Sequence, residues 1–74
     1  MPEIARIGEA FARRRVELRL TQQAVADLAG VSRSSVQSLE YGTGSTKLAS
    51  VVEIAEVLGL ALEPMSAADA EARR

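Results

Sequence analysis

Apolar residues recur at helical spacing through the first quarter of the chain. Wound at 3.6 residues per turn, residues 3–19 turn their large apolar side chains to one side. Arg15 lies on that same side, which places a charge on the face predicted to be buried. The pattern therefore predicts an amphipathic first helix with one anomalous position. Its apolar stripe consists of Ile4, Ile7, Phe11 and Leu18.

A second, short helix is predicted from Thr21 to about Ala29. Threonine is a good N-cap because its hydroxyl can accept a hydrogen bond from a free amide of the first turn. Gly30 ends the helix, since glycine takes the left-handed conformation at little cost. The predicted inward side of this helix carries Val25, Leu28 and Ala29, with Ala26 beside them.

A third helix, about Arg33 to Tyr41, is predicted after the next good N-cap, Ser32. Val36 and Leu39 are its apolar anchors, and the small Ala26 allows the second helix to come close. Two helices joined by a short turn that contains glycine form a helix-turn-helix. The spacing of these residues predicts that arrangement.

The last third of the chain is unusually apolar. A fourth helix is predicted over residues 48–58 and ends at Gly59. Residues 60–65 are predicted to be extended, because Pro64 disfavours a helix through Glu63. The tail 66–74 is either frayed or a short helix capped by Ser66. The chain is thus divided into a helix-turn-helix domain, 1–65, and a weakly ordered tail, 66–74. The predicted core stripe of the fourth helix is Leu48, Val51, Val52, Ala55 and Leu58.

Composition excludes several classes of protein. The chain lacks cysteine and histidine, so disulfides and ordinary structural zinc sites are excluded. No apolar run is long enough for a membrane span, and the N-terminal segment has no signal-peptide pattern. We therefore expect a cytoplasmic protein without metal or cofactor. Residues 1–48 carry a net charge of +2 and residues 49–74 a net charge of −3, so the first part is the better match for a polyanion.

The segment TQQAVADLAGVSRSSVQSLEYG resembles the signature of the XRE, or lambda-repressor-like, helix-turn-helix family. The resemblance extends over roughly residues 7–60. It implies an all-α, compact, lambda-repressor-like bundle of four to five helices with a short extended C-terminal segment. It also implies sequence-specific binding of double-stranded operator DNA, usually by a homodimer and usually to repress transcription.

The exposed face of the third helix carries the expected base-reading residues. Arginine can clamp the O6 and N7 atoms of guanine, glutamine can pair with adenine, and serine makes adaptable contacts. Short side chains also let the helix enter the major groove. The predicted base readers are Arg33, Ser34, Gln37 and Ser38. The residues expected to contact phosphate or to position the helices are Gln22, Gln23, Ser32, Ser35, Arg14, Thr43 and Lys47.

The charge on the first helix needs a partner, since an unpaired buried charge is very costly. Glu40 follows the core residue Leu39 and carries the opposite charge. We predict an Arg15–Glu40 ion pair that ties the first helix to the third. The alternative is that Arg15 extends to water along its aliphatic stem.

The fourth helix and the segment after it carry more apolar surface than one small core needs. We expect a homodimer interface there, made by Ile54, Val57, Leu60 and Leu62. A two-fold pair also matches two half-sites one helical turn apart.

Two kinds of regulator have this size. The segment LALEPM looks like a strand, and a short XRE protein of this shape resembles antitoxins of the HipB kind, in which paired C-terminal strands join two chains and the dimer holds a cognate toxin. Stand-alone regulators of phage or restriction–modification systems are the other kind. We favour the antitoxin-like, autoregulating repressor. A protein-interaction module without DNA binding stays open as an alternative, whereas an enzyme is not expected, because catalytic residue types are lacking.

Overall fold

Five helices make up the fold of the computed structural model, which describes residues 2–43 and 46–72. Four helix bounds match the sequence prediction because a capping residue marks each of them. Thr21 and Ser32 accept amide hydrogen bonds at the starts of the second and third helices, and Gly30 and Gly42 end those helices. The helices are α1 (Pro2–Glu17), α2 (Gln22–Ala29), α3 (Arg33–Tyr41), α4 (Leu48–Leu58) and α5 (Ala67–Ala72).

The first helix ends two residues earlier than predicted. Arg19 adopts a left-handed backbone conformation with φ 58°. The amides of Arg19 and Leu20 donate hydrogen bonds back to the carbonyls of Val16 and Arg15, at 2.9 and 3.1 Å. These two bonds are the pattern that commonly closes a helix C-terminus, usually with glycine at the left-handed position.

The core lies where α1, α2, α3 and α4 meet. It is aliphatic apart from one aromatic ring, as the scarcity of aromatic residues requires. The buried residues are Phe11, Val25, Ala26, Val36, Leu39, Ile54, Ala55 and Leu58.

The buried face of α4 differs from the predicted one. Ile54 is 1% exposed, whereas Leu48 is 76% exposed. Val52, also predicted to be buried, is exposed as well, and Val51 and Val57 pack partly against the core. The prediction was wrong because α4 carries apolar residues on almost every side, so that its periodicity does not mark a single inward face.

Three other residues predicted to face the core are also exposed. Leu28 on α2 is 67% exposed, and Ile7 and Leu18 are more than one-third exposed. Only Phe11 of the predicted α1 stripe is buried. On α1, Gly8 lies against the α3 carbonyls, and a hydrophobic pattern does not count a glycine.

The α1–α3 contact is made backbone to backbone at Gly8. A Cβ atom placed on this glycine would overlap the carbonyl oxygen of Leu39 and lie 2.7 Å from that of Glu40. Any larger residue would therefore force the two helices apart. Gly8 sets the distance at which α1 holds α3.

The C-terminal segment forms no strand. Residues 60–66 have no regular secondary structure, and none of the described residues lies in a strand. The tail contains the short helix α5, where the amide of Asp69 donates to the Ser66 hydroxyl at 3.2 Å. The Ser66 cap is thus present, while the strand expected of LALEPM is not.

Candidate nucleic-acid interface

Helix α3 turns its apolar residues inward and its polar residues outward. Val36 and Leu39 are buried against the core. On the other side, Arg33 and Ser34 are exposed, and Gln37 and Ser38 are partly exposed. The four residues predicted to read bases therefore share one accessible face of one helix.

A cluster of three hydroxyl groups organises the start of this face. The Ser32 hydroxyl accepts a hydrogen bond from the Ser35 amide at 3.1 Å and so caps α3. The same oxygen lies 3.0 Å from the Ser34 hydroxyl and 2.9 Å from the Ser35 hydroxyl. Ser32 and Ser35 are consequently engaged at the helix start, as expected for positioning residues.

An open groove of ≈ 400 Å³ runs along the side of α3. Its lining is mostly hydroxyl groups, with one cation, Lys47. Lys47 is the N-cap residue of α4, and its side chain makes no capping hydrogen bond. A lysine beside the positive end of a helix dipole attracts phosphate. The groove is lined by Gly30, Val31, Ser32, Ser34, Ser35, Ser38, Thr46, Lys47 and Ser50.

The start of α2 is another helix N-terminus with a partial positive charge. Thr21 caps it by accepting the Ala24 amide at 3.0 Å. Gln22 and Gln23 are the first two residues of α2, so their backbone amides have no hydrogen-bond acceptor within the helix. Backbone amides in that position can donate to a DNA phosphate.

The predicted ion pair joins α1 to α3. Arg15 Nε lies 2.6 Å from Glu40 Oε2, and Arg15 Nη2 donates to Glu40 Oε1 at 3.0 Å. The side chains are 17% and 5% exposed. The hydrogen bond to Glu40 raises the pKa of Arg15 above its ordinary value, against the opposing effect of burial. The guanidinium is therefore charged at every pH at which the protein is folded.

A helix-turn-helix family model (HTH_3) matches residues 11–64. The chain belongs to this family. The crystal structure of the restriction-modification controller protein C.AhdI from Aeromonas hydrophila is similar to it, with a TM-score of 0.74 and 24% sequence identity. The match covers 82% of this chain and 92% of that one, and at this identity it supports the fold alone. A comparison with curated proteins found no match.

Membership of HTH_3 makes the chain a DNA-binding transcriptional regulator and not an enzyme. The predicted all-α helix-turn-helix bundle is confirmed. Within the described part of this regulator, no helix is long and apolar enough to cross a membrane.

Three residues predicted to contact phosphate or to position the helices make hydrogen bonds within this HTH_3 domain. Arg14 Nε donates to the Leu58 carbonyl at 2.9 Å, so this side chain caps the end of α4. Thr43 closes α3 through its amide, which donates to the Ser38 carbonyl at 3.2 Å. The Gln22 side chain donates to Glu40 Oε1 at 3.1 Å. Arg14 Nε is bound at the carbonyl end of α4, and a contact of this side chain with phosphate stays a prediction.

The predicted dimer residues of the HTH_3 domain divide into two groups. Ile54 is 1% exposed and belongs to the core, so it cannot contact a second chain. Val57 and Leu60 pack partly against that core. Leu62 is 44% exposed. The sequence does not predict Leu48 as an interface residue, because the apolar pattern places Leu48 in the core stripe of α4.

Four exposed large aliphatic side chains, together with the half-buried Val51, line one open groove of ≈ 430 Å³ between α1, α4 and the C-terminal segment. Each of the four exposed side chains has more than one-third of its surface accessible. Exposed apolar residues gathered in one place usually mark an interaction site. We call this the apolar surface, and it consists of Ile7, Leu48, Val52 and Leu62.

Proposed function

We propose that this regulator binds operator DNA as a homodimer, inserts α3 into the major groove and represses its own gene. The observation that carries the proposal is the outer face of α3. Arg33 and Ser34 are exposed there, and no described apolar or acidic side chain interrupts the four polar positions of that face. A face of donors and short side chains fits the edges of bases in a groove about 12 Å wide.

In the proposed complex, each polar group on this surface makes a defined contact with DNA. Arg33 donates two hydrogen bonds to guanine, and Gln37 pairs with adenine. Ser34 and Ser38 contact bases directly or through water. The first amides of α2 and the Lys47 ammonium bind phosphates on either side of the groove and fix the register of α3.

The apolar surface supports the homodimer. Leu48 is 76% exposed, a cost that a second copy of the chain would remove by covering it. A two-fold dimer presents two α3 helices, which matches two half-sites one helical turn apart. In this arrangement the binding unit is the dimer.

Two observations favour a stand-alone controller over a toxin-binding antitoxin. The described residues contain no strand, so the feature that linked LALEPM to HipB-like antitoxins is missing from them. The fold is also similar to that of a restriction-modification controller protein over most of both chains. We therefore propose a small controller that acts on its own promoter.

The test is fluorescence anisotropy with a duplex from upstream of the protein's own gene and a scrambled duplex of equal length, at two salt concentrations. Wild-type protein should prefer the upstream duplex by about 10³-fold or more, with a steep salt dependence. Arg33→Ala should lower that affinity by about 10–100-fold, the equivalent of about 1–3 kcal/mol. Its free energy of unfolding should stay unchanged, because Arg33 is exposed.

Arg13→Ala is the matched control, since it removes the same charge from an exposed position on α1. It should weaken binding to both duplexes only slightly. Equal losses for the two variants would argue against base reading by α3. A complete absence of binding at low salt would reject the DNA-binding proposal and support a protein-interaction module.

A further inference from the structure

A single hydrogen-bonded network connects three helices at the start of α2. Both Glu40 oxygens are engaged, one by Arg15 Nε and the other by Arg15 Nη2 and Gln22 Nε2. Arg15 Nη1 also donates to the Leu20 carbonyl at 2.8 Å. The two residues on either side of the Thr21 cap are thus attached to the same buried ion pair, one by its backbone and the other by its side chain.

The network joins the two parts of the proposed DNA-binding surface. Gln22 is the first residue of α2, where backbone amides have no acceptor within the helix. Glu40 lies on α3, three residues after Gln37. The hydrogen bond between Gln22 and Glu40 therefore connects the helix end that would contact phosphate with the helix that would read bases. Its length is 3.1 Å, which is an ordinary hydrogen-bond distance.

We infer that Gln22 is a positioning residue for operator recognition. Through Glu40 it fixes the first turn of α2 relative to α3, so that phosphate contacts and base contacts are made in one register. This inference rests on the proposed function, because it assigns a role within DNA reading. The sequence predicts that Gln22 contacts phosphate or positions the helices; the hydrogen bond to Glu40 favours the second role and names its partner.

Positioning and direct phosphate binding have different consequences. A side chain that only binds phosphate contributes equally to operator and to unrelated DNA, since phosphates carry no sequence information. A side chain that sets the register of α3 contributes only when the bases match. The ratio of the affinity for operator DNA to the affinity for unrelated DNA therefore distinguishes a positioning residue from a phosphate ligand. A purely structural role would change the stability of the protein and leave both affinities unchanged.

The test uses Gln22→Met, which keeps the length of the side chain and removes its hydrogen bonds. Arg15 still satisfies both Glu40 oxygens in this variant, so we expect it to fold. Gln23→Met is the matched control, because the Gln23 amide donates only to the exposed Asp27 carboxylate at 2.9 Å. The probes are a duplex selected by wild-type protein from a random-sequence library and a scrambled version of it.

Gln22→Met should lose about tenfold in affinity for the selected duplex, the equivalent of about 1.4 kcal/mol. Its affinity for the scrambled duplex should change by less than about twofold. Gln23→Met should change both affinities by the same small factor. Circular dichroism at the binding temperature verifies that both variants are folded.

Two results would overturn the inference: unchanged affinity of Gln22→Met for the selected duplex, or equal losses on the two duplexes. Equal losses would identify Gln22 as a phosphate ligand. Failure of the proposed function gives a different result, because wild-type protein would then select no sequence from the library. A wild-type preference that Gln22→Met retains would reject only the positioning role.

Discussion

Gly30 and Gly42 have the same backbone torsion but different surroundings. Both end a helix with φ 71°, in the left-handed region that favours glycine. A Cβ atom on Gly30 would meet nothing within 4 Å, whereas one on Gly42 would lie 2.8 Å from Ala5 Cα. Substituting Gly30 therefore tests the cost of the left-handed torsion alone, whereas substituting Gly42 adds the cost of a steric overlap with α1.

We expect Gly30→Ala to lower the free energy of unfolding by about 1–2 kcal/mol, the cost of a left-handed residue with a side chain. Gly42→Ala should lower it by about 2–5 kcal/mol, because the α1 backbone must also shift, which adds about 1–3 kcal/mol. Urea unfolding followed by circular dichroism measures both. Equal values would show that α1 moves away from Gly42 without cost.

Single residues were predictable from the sequence when their own chemistry was unusual. Arg15 interrupts an apolar stripe, so its need for a charged partner was visible, and the ion pair with Glu40 is present. Gly30 was recognised as a helix stop for a similar reason. The overlap at Gly42 was not predictable, because Ala5 lies far away in the sequence and only the fold brings it close.

Helix bounds could be predicted where the sequence contains a good capping residue. The buried face of a helix could not always be predicted. The ends of α2 and α3 follow from Thr21, Gly30 and Ser32. On α4, apolar residues occur around most of the helix, so two different faces satisfy the same spacing. The inner face is decided by α2, which packs against α4 from a distant part of the chain.

The start of α4 combines good cap geometry with a poor capping residue. Lys47 has φ −63° and ψ 143°, the extended conformation of an N-cap, yet its side chain makes no capping bond. Serine in this position should accept an amide hydrogen bond from the first turn. The presence of lysine at this N-cap position is then explained by its charge at the edge of the groove and not by a contribution to helix stability.

We therefore expect Lys47→Ser to raise the free energy of unfolding by about 1 kcal/mol and to weaken DNA binding. The slope of log affinity against log salt should fall by about one, as expected for one lost phosphate contact. Lys47→Ala is the control, since it removes the charge without adding a cap. It should show the same loss of salt slope and no gain in stability; a gain equal to that of serine would contradict the capping argument.

For the whole molecule, the sequence indicated that more apolar residues are present than one core needs, but it did not indicate which of them are exposed. The excess was assigned to Ile54, Val57, Leu60 and Leu62, of which only Leu62 is exposed by more than one-third. Ile7 on α1 and the start of α4 complete the apolar surface. Because these residues come from three separate segments, only the tertiary structure could bring them together.

We expect Leu48→Glu to convert the proposed dimer to monomer. Two copies of the new carboxylate would lie within one apolar interface, where an unpaired charge is very costly. The monomer itself should stay folded, since Leu48 is 76% exposed and an acidic residue suits the first turn of a helix. Sedimentation velocity measures the change.

Leu28→Glu is the matched control for this experiment. Leu28 is 67% exposed but lies on α2, outside the apolar surface. The control variant should sediment like wild-type protein. If wild-type protein is itself monomeric at micromolar concentration, or if both variants dissociate, the assignment of the interface is wrong.

The backbone contact at Gly8 also has a mechanical consequence. Between most packed helices, side chains form a deformable layer that lets one helix slide over the other. At Gly8 this layer is missing, because the α3 carbonyls lie directly against α1. In the proposed complex α3 is therefore held rigidly against α1, and adjustment to a duplex comes from exposed side chains and from the bending and twisting of the duplex. Since the stiffness of DNA depends on its sequence, we expect base pairs that α3 never touches to influence the choice of operator as well.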